Sequence, residues 1–189
     1  RLRATMRVEL LEIIGRIGIT TVSVTHNQEE ALAMSYRVVV MSTGRIRQVG
    51  PATEIYRQPA DSFVADFIGD ANLFHCRVTG RSGAMLDAVT EDGQRLRAPA
   101  DCAPNDDAVS LMIRPEDIAI GSACPSGSNR MDGEVLQVAY LGACFEYRVR
   151  AGGKNVLVKR PAGRDGPQEA PGAAVTLWWD PAAMIGLRS

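Results

Sequence analysis

The distribution of glycine and proline along the chain constrains its fold more than any other sequence feature. Residues 1–72 contain 5 of the 18 glycines and 2 of the 10 prolines, whereas residues 73–189 contain 13 and 8. Glycine and proline form the turns between short strands, so their higher density in the second region is typical of an all-β domain. We therefore predict an α/β segment over 1–72 and an all-β domain over 73–189, joined near 69–72.

Composition excludes several classes of protein. Hydrophobic residues make up 46% of the 189 residues and charged residues 23%, which excludes wholesale disorder. The formal net charge is −1, so a nucleic-acid partner is disfavoured. The four cysteines form no C-x-x-C pair, which predicts free thiols and no zinc or other metal site. The chain begins with Arg1 and has no signal-peptide pattern, so we expect either that an upstream segment has been removed or that the sequence starts inside a longer protein.

The first region predicts helices that alternate with short strands. Apolar residues three and four positions apart predict an amphipathic helix over 2–17, which Gly18 ends. The β-branched run 19–25 predicts a buried strand. Asn27, with Glu30 three residues later, predicts a capped helix that continues through residue 35.

Three further elements complete the first region. Residues 38–41 and 45–49 predict a hairpin, and Gly50-Pro51 predicts the start of a short helix. Asp61 predicts the cap of another helix. Its buried side is expected to carry four residues: Phe63, Val64, Phe67 and Ile68.

The second region shows strand patterns. Residues 144–150 alternate between apolar and polar, residues 151–155 predict a turn, and a strand follows at 156–158. The adjacent Trp178 and Trp179 would face opposite sides of a strand, which favours packing with partial exposure over a stacking platform.

Arg114 and Pro115 predict the end of a strand, because proline cannot donate to the ladder. With Glu116 and Asp117, Arg114 suggests two alternatives, an ion-binding or catalytic cluster and an architectural turn. We favour the turn, in which Arg114 pairs locally with a carboxylate.

His26 is the candidate site residue of the first region. It lies at the end of a predicted strand and at the start of a predicted helix, where a histidine can donate a hydrogen bond to a phosphate oxygen. The alternative is a polar turn residue that caps the helix or bonds a carbonyl. The spacing alone favours the polar turn residue, because one histidine is a weak signal of a binding site.

A family resemblance changes that balance. Residues 21–32 resemble the switch-histidine segment of ATP-binding cassette (ABC) transporter ATPases, in which Thr-His precedes Asp-Gln-x-Glu-Ala. Asn27 stands where the family usually has Asp, and because Asn also caps helices we expect little consequence. Five further segments match the end of this ATPase domain in importers of sugars, polyamines, ferric ion, sulfate or phosphonates: 37–41, 44–50, 51–56, 58–60 and 63–69.

The second region resembles the regulatory domain of the same importers, the transport-associated oligonucleotide/oligosaccharide-binding-like (TOBE) domain. Residues 111–118 resemble its Ile-Arg-Pro-Glu signature, and residues 175–181 resemble its closing strand and turn. Residues 140–142 with 146–149 resemble its strand-turn-strand segment and favour a polyamine- or phosphonate-type importer. The resemblance implies the end of a P-loop ATPase domain, residues 1–72, followed by an OB-like barrel, residues 73–189.

Three motifs of a complete ATPase of this family are absent from the sequence. There is no G-x-x-x-x-G-K-[ST] phosphate loop, no Leu-Ser-Gly-Gly-Gln signature and no apolar strand that ends in Asp-Glu. The resemblance implies that the parent protein uses ATP and Mg²⁺ for import and that His26 contacts the γ-phosphate there. We expect this chain alone neither to bind nor to hydrolyse ATP.

The resemblance also implies partners and a location. They are a second ATPase subunit in a homodimer, two transmembrane permease subunits and, indirectly, a substrate-binding protein, with the chain peripheral on the cytoplasmic face of the membrane. The alternative is a free-standing OB-like module that binds a small oxyanion or another small ligand. The genomic sequence upstream of Arg1 separates the two, since a phosphate-loop motif supports the transporter and an adjacent start codon supports the module.

Overall fold

The structure is a computed structural model that describes residues 2–103, 107–121, 124–163 and 169–187. Within these residues the fold is mostly β, with four helices. The helices are α1 (Leu2–Ile17), α2 (Gln28–Met34), α3 (Ala52–Arg57) and α4 (Ser62–Ile68). The strands are β1 (Val38–Ser42), β2 (Arg45–Gly50), β3 (Asn72–Ser82), β4 (Met85–Thr90), β5 (Arg95–Pro99), β6 (Ala108–Ile113), β7 (Ala119–Ile120), β8 (Asn129–Tyr140), β9 (Cys144–Ala151), β10 (Lys154–Pro161), β11 (Ala174–Trp179) and β12 (Ile185–Leu187).

The first helix forms where the sequence predicts it. α1 ends at Gly18, whose φ of +71° suits glycine and whose N–H donates to the carbonyl of Ile14 at 2.9 Å. Its apolar side chains at Leu10 and Ile13 are nevertheless exposed. None of the four helices in the described part of the chain has the length and apolar character needed to cross a membrane.

The predicted buried strand over 19–25 is wrong. These residues form no strand, and the side chains of Val22 and Val24 are 87% and 95% exposed. A strand is held by hydrogen bonds to a neighbouring strand, and no described residue pairs with this segment, since β1 pairs with β2 alone. The α/β fold expected for the end of a P-loop ATPase domain is therefore not evident among the described residues.

The other predicted elements of the first region are present. β1 and β2 form an antiparallel hairpin whose turn contains Thr43 and Gly44, both at positive φ. Pro51 lies at the N-cap of α3, one position earlier than the first helical residue. Asp61 caps α4, because its Oδ1 accepts a hydrogen bond from the N–H of Val64 at 2.9 Å.

A small apolar cluster unites these elements, and we call it the hairpin core. It consists of Val38, Val40, Ile55, Val64 and Ile68, with Ala31 and Leu32 of α2 packed against it. The prediction that Phe63 and Phe67 lie on the buried side of α4 is wrong. They share the opposite face, one helical turn apart, and stack on each other at the surface with ring centroids 5.5 Å apart.

Two antiparallel five-stranded sheets form the β region, residues 72–187. Their strand orders are β10-β9-β8-β11-β7 and β12-β6-β3-β4-β5. Register shifts at residues 78–80 of β3 and 135–137 of β8 add one residue to each strand, which bends it. The curled sheets are consistent with an OB-like barrel. They share one core, whose largest members include Phe74, Leu111, Tyr147, Leu177 and Trp179.

The predicted strand patterns of the second region are confirmed. In β9 the side chains of Phe145, Tyr147 and Val149 are buried, and those of Arg148 and Arg150 are exposed. β9 turns into β10 through two glycines at positive φ, within the predicted turn 151–155. β6 ends at the residue before Arg114, as the proline that follows requires.

Gly133 offers a test of the packing between β8 and β9. A Cβ at this position would lie 2.6 Å from the carbonyl oxygen of Arg150 and 2.9 Å from Cβ of Ala151, so Gly133→Ala forces the strands apart. We expect a loss of about 1–3 kcal/mol in the free energy of unfolding, measured by urea with tryptophan fluorescence. Gly163→Ala is the control, since no atom of the described residues lies within 4 Å of a Cβ at this position. Equal losses in the two variants would contradict this packing.

Candidate functional site

His26 lies on the surface between the extended segment 19–25 and α2. Its side chain is exposed, and no described residue hydrogen-bonds its ring. The alternative in which His26 caps the helix is wrong, because the cap is Asn27. The imidazole is therefore open to a group from outside the described residues.

Local hydrogen bonds hold the main chain on both sides of His26. The Asn27 side chain accepts a hydrogen bond from the N–H of Glu30 at 3.0 Å, as the sequence predicts for a cap. The hydroxyl of Thr25 accepts from the N–H of Asn27 at 3.0 Å and donates to the Glu30 carboxylate at 2.9 Å. These bonds fix the backbone from residue 25 to residue 30 and leave the His26 ring projecting from it.

Arg114 is the other candidate from the sequence, and its predicted pairing with a local carboxylate is wrong. Its side chain is 2% exposed. Nη1 donates to the carbonyls of Ala65 (3.0 Å), Gly69 (3.1 Å) and Asp70 (2.9 Å), and Nη2 donates to the carbonyl of Tyr56 at 2.8 Å. All four acceptors belong to residues 52–70, which we call the α3–α4 segment. Arg114 thus joins the β region to that segment.

Tyr56 completes the surroundings of Arg114. The Cζ atom of Arg114 lies 4.2 Å from the centroid of the Tyr56 ring, a cation–π contact. The Tyr56 hydroxyl donates to Oε1 of Glu116 at 2.5 Å, so Glu116 bonds the tyrosine and not its neighbour Arg114. Gly69 packs closely here, because a Cβ would lie 3.1 Å from the Tyr56 ring, which is tighter than an ordinary contact.

The start of β3 is tied to β10 by a second set of bonds that the sequence did not predict. The Asn72 side chain donates to the carbonyl of Leu157 and accepts from its N–H, both at 2.8 Å. Lys159 forms an ion pair with Asp70 at 2.5 Å. These partners are more than 80 residues apart in sequence, and no motif or spacing links them.

The remaining sequence candidates have structural positions. Trp179 is buried in the core of the β region, against Phe74, and Trp178 is half-buried on the other face of β11, as predicted. A surface cavity of about 540 Å³ lies beside β3, and its lining includes His75 and Arg77. The acidic Glu91 and Asp107 line the same cavity.

Tyr56 makes the contact between Arg114 and the α3–α4 segment sensitive to alkaline pH. Burial, together with the hydrogen bond to Glu116, raises the pKa of Tyr56 to about 12 from an ordinary value of 10.0. A pKa raised by folding means that the neutral phenol stabilises the fold below pH 10, and that this contribution is lost as the pH rises toward 12.

We expect Tyr56→Phe to lower the free energy of unfolding at pH 8 by about 1 kcal/mol. The difference from the wild type should shrink at pH 11, since there the wild-type phenol also loses stability. Urea titrations of both proteins at the two pH values measure it. A difference that does not change with pH would contradict the role of the Tyr56 hydroxyl.

Comparison with known proteins places these features in a family. The TOBE domain model matches residues 111–187. The chain is 39% identical over 187 residues to the spermidine/putrescine import ATP-binding protein PotA of Rubrobacter xylanophilus, covering 95% of this chain and 48% of that protein. It is 44% identical over 150 residues to the Fe(3+) ions import ATP-binding protein FbpC of Agrobacterium fabrum, covering 79% of this chain and 41% of that protein.

A third relative is the sulfate/thiosulfate import ATP-binding protein CysA 2 of Chromobacterium violaceum. It is 40% identical over 161 residues, covering 85% of this chain and 42% of that protein. The chain thus spans about half the length of the curated relatives it matches.

Among solved structures, the fold resembles that of the cytoplasmic molybdate-binding protein ModG. The TM-score is 0.52 at 17% identity, over 62% of this chain and 96% of that one. At this identity the likeness concerns the fold alone. By sequence, the chain matches the C-terminal, TOBE-containing region of the ATP-binding subunits of ABC importers.

Proposed function

We propose that this chain is the C-terminal part of a subunit that uses ATP to drive the import of a solute across a membrane. The observation that carries the proposal is the match to three differently named import ATP-binding proteins over 79–95% of the chain. The exposed His26 on a fixed backbone supports it, because a residue that contacts nucleotide has to be reachable from outside.

Residues 1–72 would be the end of the ATPase domain in this proposal, and residues 73–189 its regulatory domain. The exposed apolar side chains of α1 and of Val22 and Val24 support this assignment, since such surfaces tend to be covered by a partner. The cover would be the half of the subunit that the relatives have in addition. A segment such as 19–25 would then gain the neighbouring strands it lacks here.

Nucleotide binding would depend on that other half as well. The sequence has no phosphate loop, and the described residues contain no cluster of three His, Cys, Asp or Glu side chains that could hold a metal ion. The residues present therefore do not fit a complete Mg²⁺–ATP site. The contribution proposed for this chain is His26, which would donate a hydrogen bond to the γ-phosphate of bound ATP.

The β region would regulate the ATPase and pair with its copy in a second subunit. In this arrangement two transmembrane permease subunits bind the ATPase dimer at the inner face of the membrane, and a substrate-binding protein delivers the solute. Among the relatives, spermidine/putrescine, Fe(3+) ions and sulfate/thiosulfate are named as the imported solutes. We propose a polyamine as the first solute to test, because the polyamine importer's ATP-binding protein matches 95% of this chain.

His26→Ala in the intact subunit tests the proposed site. A group that contacts the transferring phosphoryl acts mainly in the transition state, so we expect the rate of ATP hydrolysis to fall by about 100-fold or more. The affinity for ATP should stay within about threefold, measured by calorimetric titration. His75→Ala is the matched control, since His75 is the only other histidine and lies on β3. Weaker ATP binding with unchanged turnover would contradict the role of His26.

The alternative function is a module that binds a small oxyanion. Two observations favour it, the fold of the molybdate-binding protein ModG and the cavity that His75 and Arg77 line. The carboxylates of Glu91 and Asp107 at the same cavity oppose an anion. Calorimetric titration of the chain with molybdate separates the two functions, because micromolar affinity would favour the module.

A further inference from the structure

A single guanidinium caps the ends of two helices at once. The last four carbonyl oxygens of a helix receive no hydrogen bond from an N–H of the same helix, and a positive charge near them is favourable. Ala65 belongs to the last turn of α4 and Tyr56 to the last turn of α3. Arg114 donates to both carbonyls, and also to those of Gly69 and Asp70 just beyond α4.

The helices that Arg114 caps are short, and few contacts join them to the β region. α3 contains six residues and α4 seven, far below the length of about 12–15 at which an isolated helix is even marginally stable in water. They pack on the hairpin core, and Ala65 of α4 also joins a small apolar cluster with Met112 and Leu187 of the β region, against which Leu73 and Ile185 pack. Apart from this cluster and the Tyr56–Glu116 hydrogen bond, the four hydrogen bonds of Arg114 are what the β region contributes to holding both helices in place.

The helix next to His26 rests on this pair. α2 has no buried residue of its own, and Ala31 and Leu32 pack against the hairpin core, which contains Ile55 of α3 and Val64 of α4. At its other end, α2 holds the backbone around His26 through the hydrogen bonds that join Thr25, Asn27 and Glu30. A continuous set of contacts thus runs from Arg114 through α3, α4 and α2 to His26.

We propose that Arg114 is a positioning residue for His26. By capping α3 and α4 from the β region, it fixes the surface on which α2 sits, and so the β region sets the orientation of the switch-histidine segment. The inference rests on the proposed function for the chemistry of His26, but the mechanical link it asserts does not require ATP. It also gives the β region a route by which to regulate the ATPase.

Lysine cannot replace arginine in this role. The two Nη atoms of Arg114 reach carbonyls of separate helices while the guanidinium plane lies over the Tyr56 ring. A lysine ammonium is a single point of charge without a planar face, so it would keep the charge but lose the fork that joins the two helices. Arg114→Lys therefore isolates the geometric contribution, and Arg114→Ala removes charge and geometry together.

Hydrogen exchange of the chain, followed by mass spectrometry, tests the link without nucleotide. In Arg114→Ala we expect the amides of residues 52–68 and 28–34 to exchange at least about tenfold faster, because their local opening becomes easier. The amides of β9 and β11 should be unchanged, and Arg114→Lys should give an intermediate effect. Arg150→Ala is the control, since Arg150 is exposed on β9 and forms an exposed ion pair with Glu134 at 3.5 Å. The proposal would be overturned if exchange became faster throughout the β region, or if the amides of residues 52–68 exchanged no faster than in the wild type.

Steady-state ATP hydrolysis by the intact subunit tests the consequence for His26. We expect Arg114→Lys to lower kcat about tenfold and to leave KM for ATP within about twofold. If Arg114 acts through His26, the double variant with His26→Ala should be no slower than His26→Ala alone. Additive losses would show that Arg114 acts by another route and would overturn the proposal. A His26→Ala variant with normal turnover would instead refute the function proposed for His26, and the exchange experiment would still decide the mechanical link.

Discussion

A buried arginine joins the two parts of this chain, and the arrangement of the helices depends on it. The side chain of Arg114 starts at the end of β6 and binds four carbonyls of the α3–α4 segment. Its burial lowers the pKa of the guanidinium, and the nearby Tyr56 hydroxyl and Glu116 carboxylate act in the opposite direction. Charged donors form the stronger class of hydrogen bond, so one residue can hold two short helices that would not be stable alone.

The sequence predicted the features that depend on neighbours a few positions away. The caps at Asn27 and Asp61, the hairpin around Gly44 and the alternation of β9 all formed as expected. Each of these depends on contacts within one turn of helix or on the period of a strand. The position of His26 at the start of α2 was also predicted correctly, because it follows from the local cap at Asn27. The chemical role of His26 stays a prediction.

The wrong predictions concern features that depend on distant partners. The run 19–25 has the composition of a strand but no described strand beside it, and the apolar Phe63 and Phe67 lie on the face of α4 that turns away from the hairpin core. Tyr56, which Arg114 contacts through both its carbonyl and its ring, is 58 positions away in sequence. No local pattern connects the two, so a pairing with an adjacent carboxylate was the natural expectation.

The central claim is that Arg114 is locked between the β region and the two helices, and NMR of its guanidinium tests this most directly. The account predicts slow rotation, with separate Nη–H resonances for Arg114 and nuclear Overhauser effects to the Tyr56 ring, whereas the exposed Arg148 should give one averaged signal. An averaged Arg114 signal like that of Arg148, with no contact to Tyr56, would contradict the account.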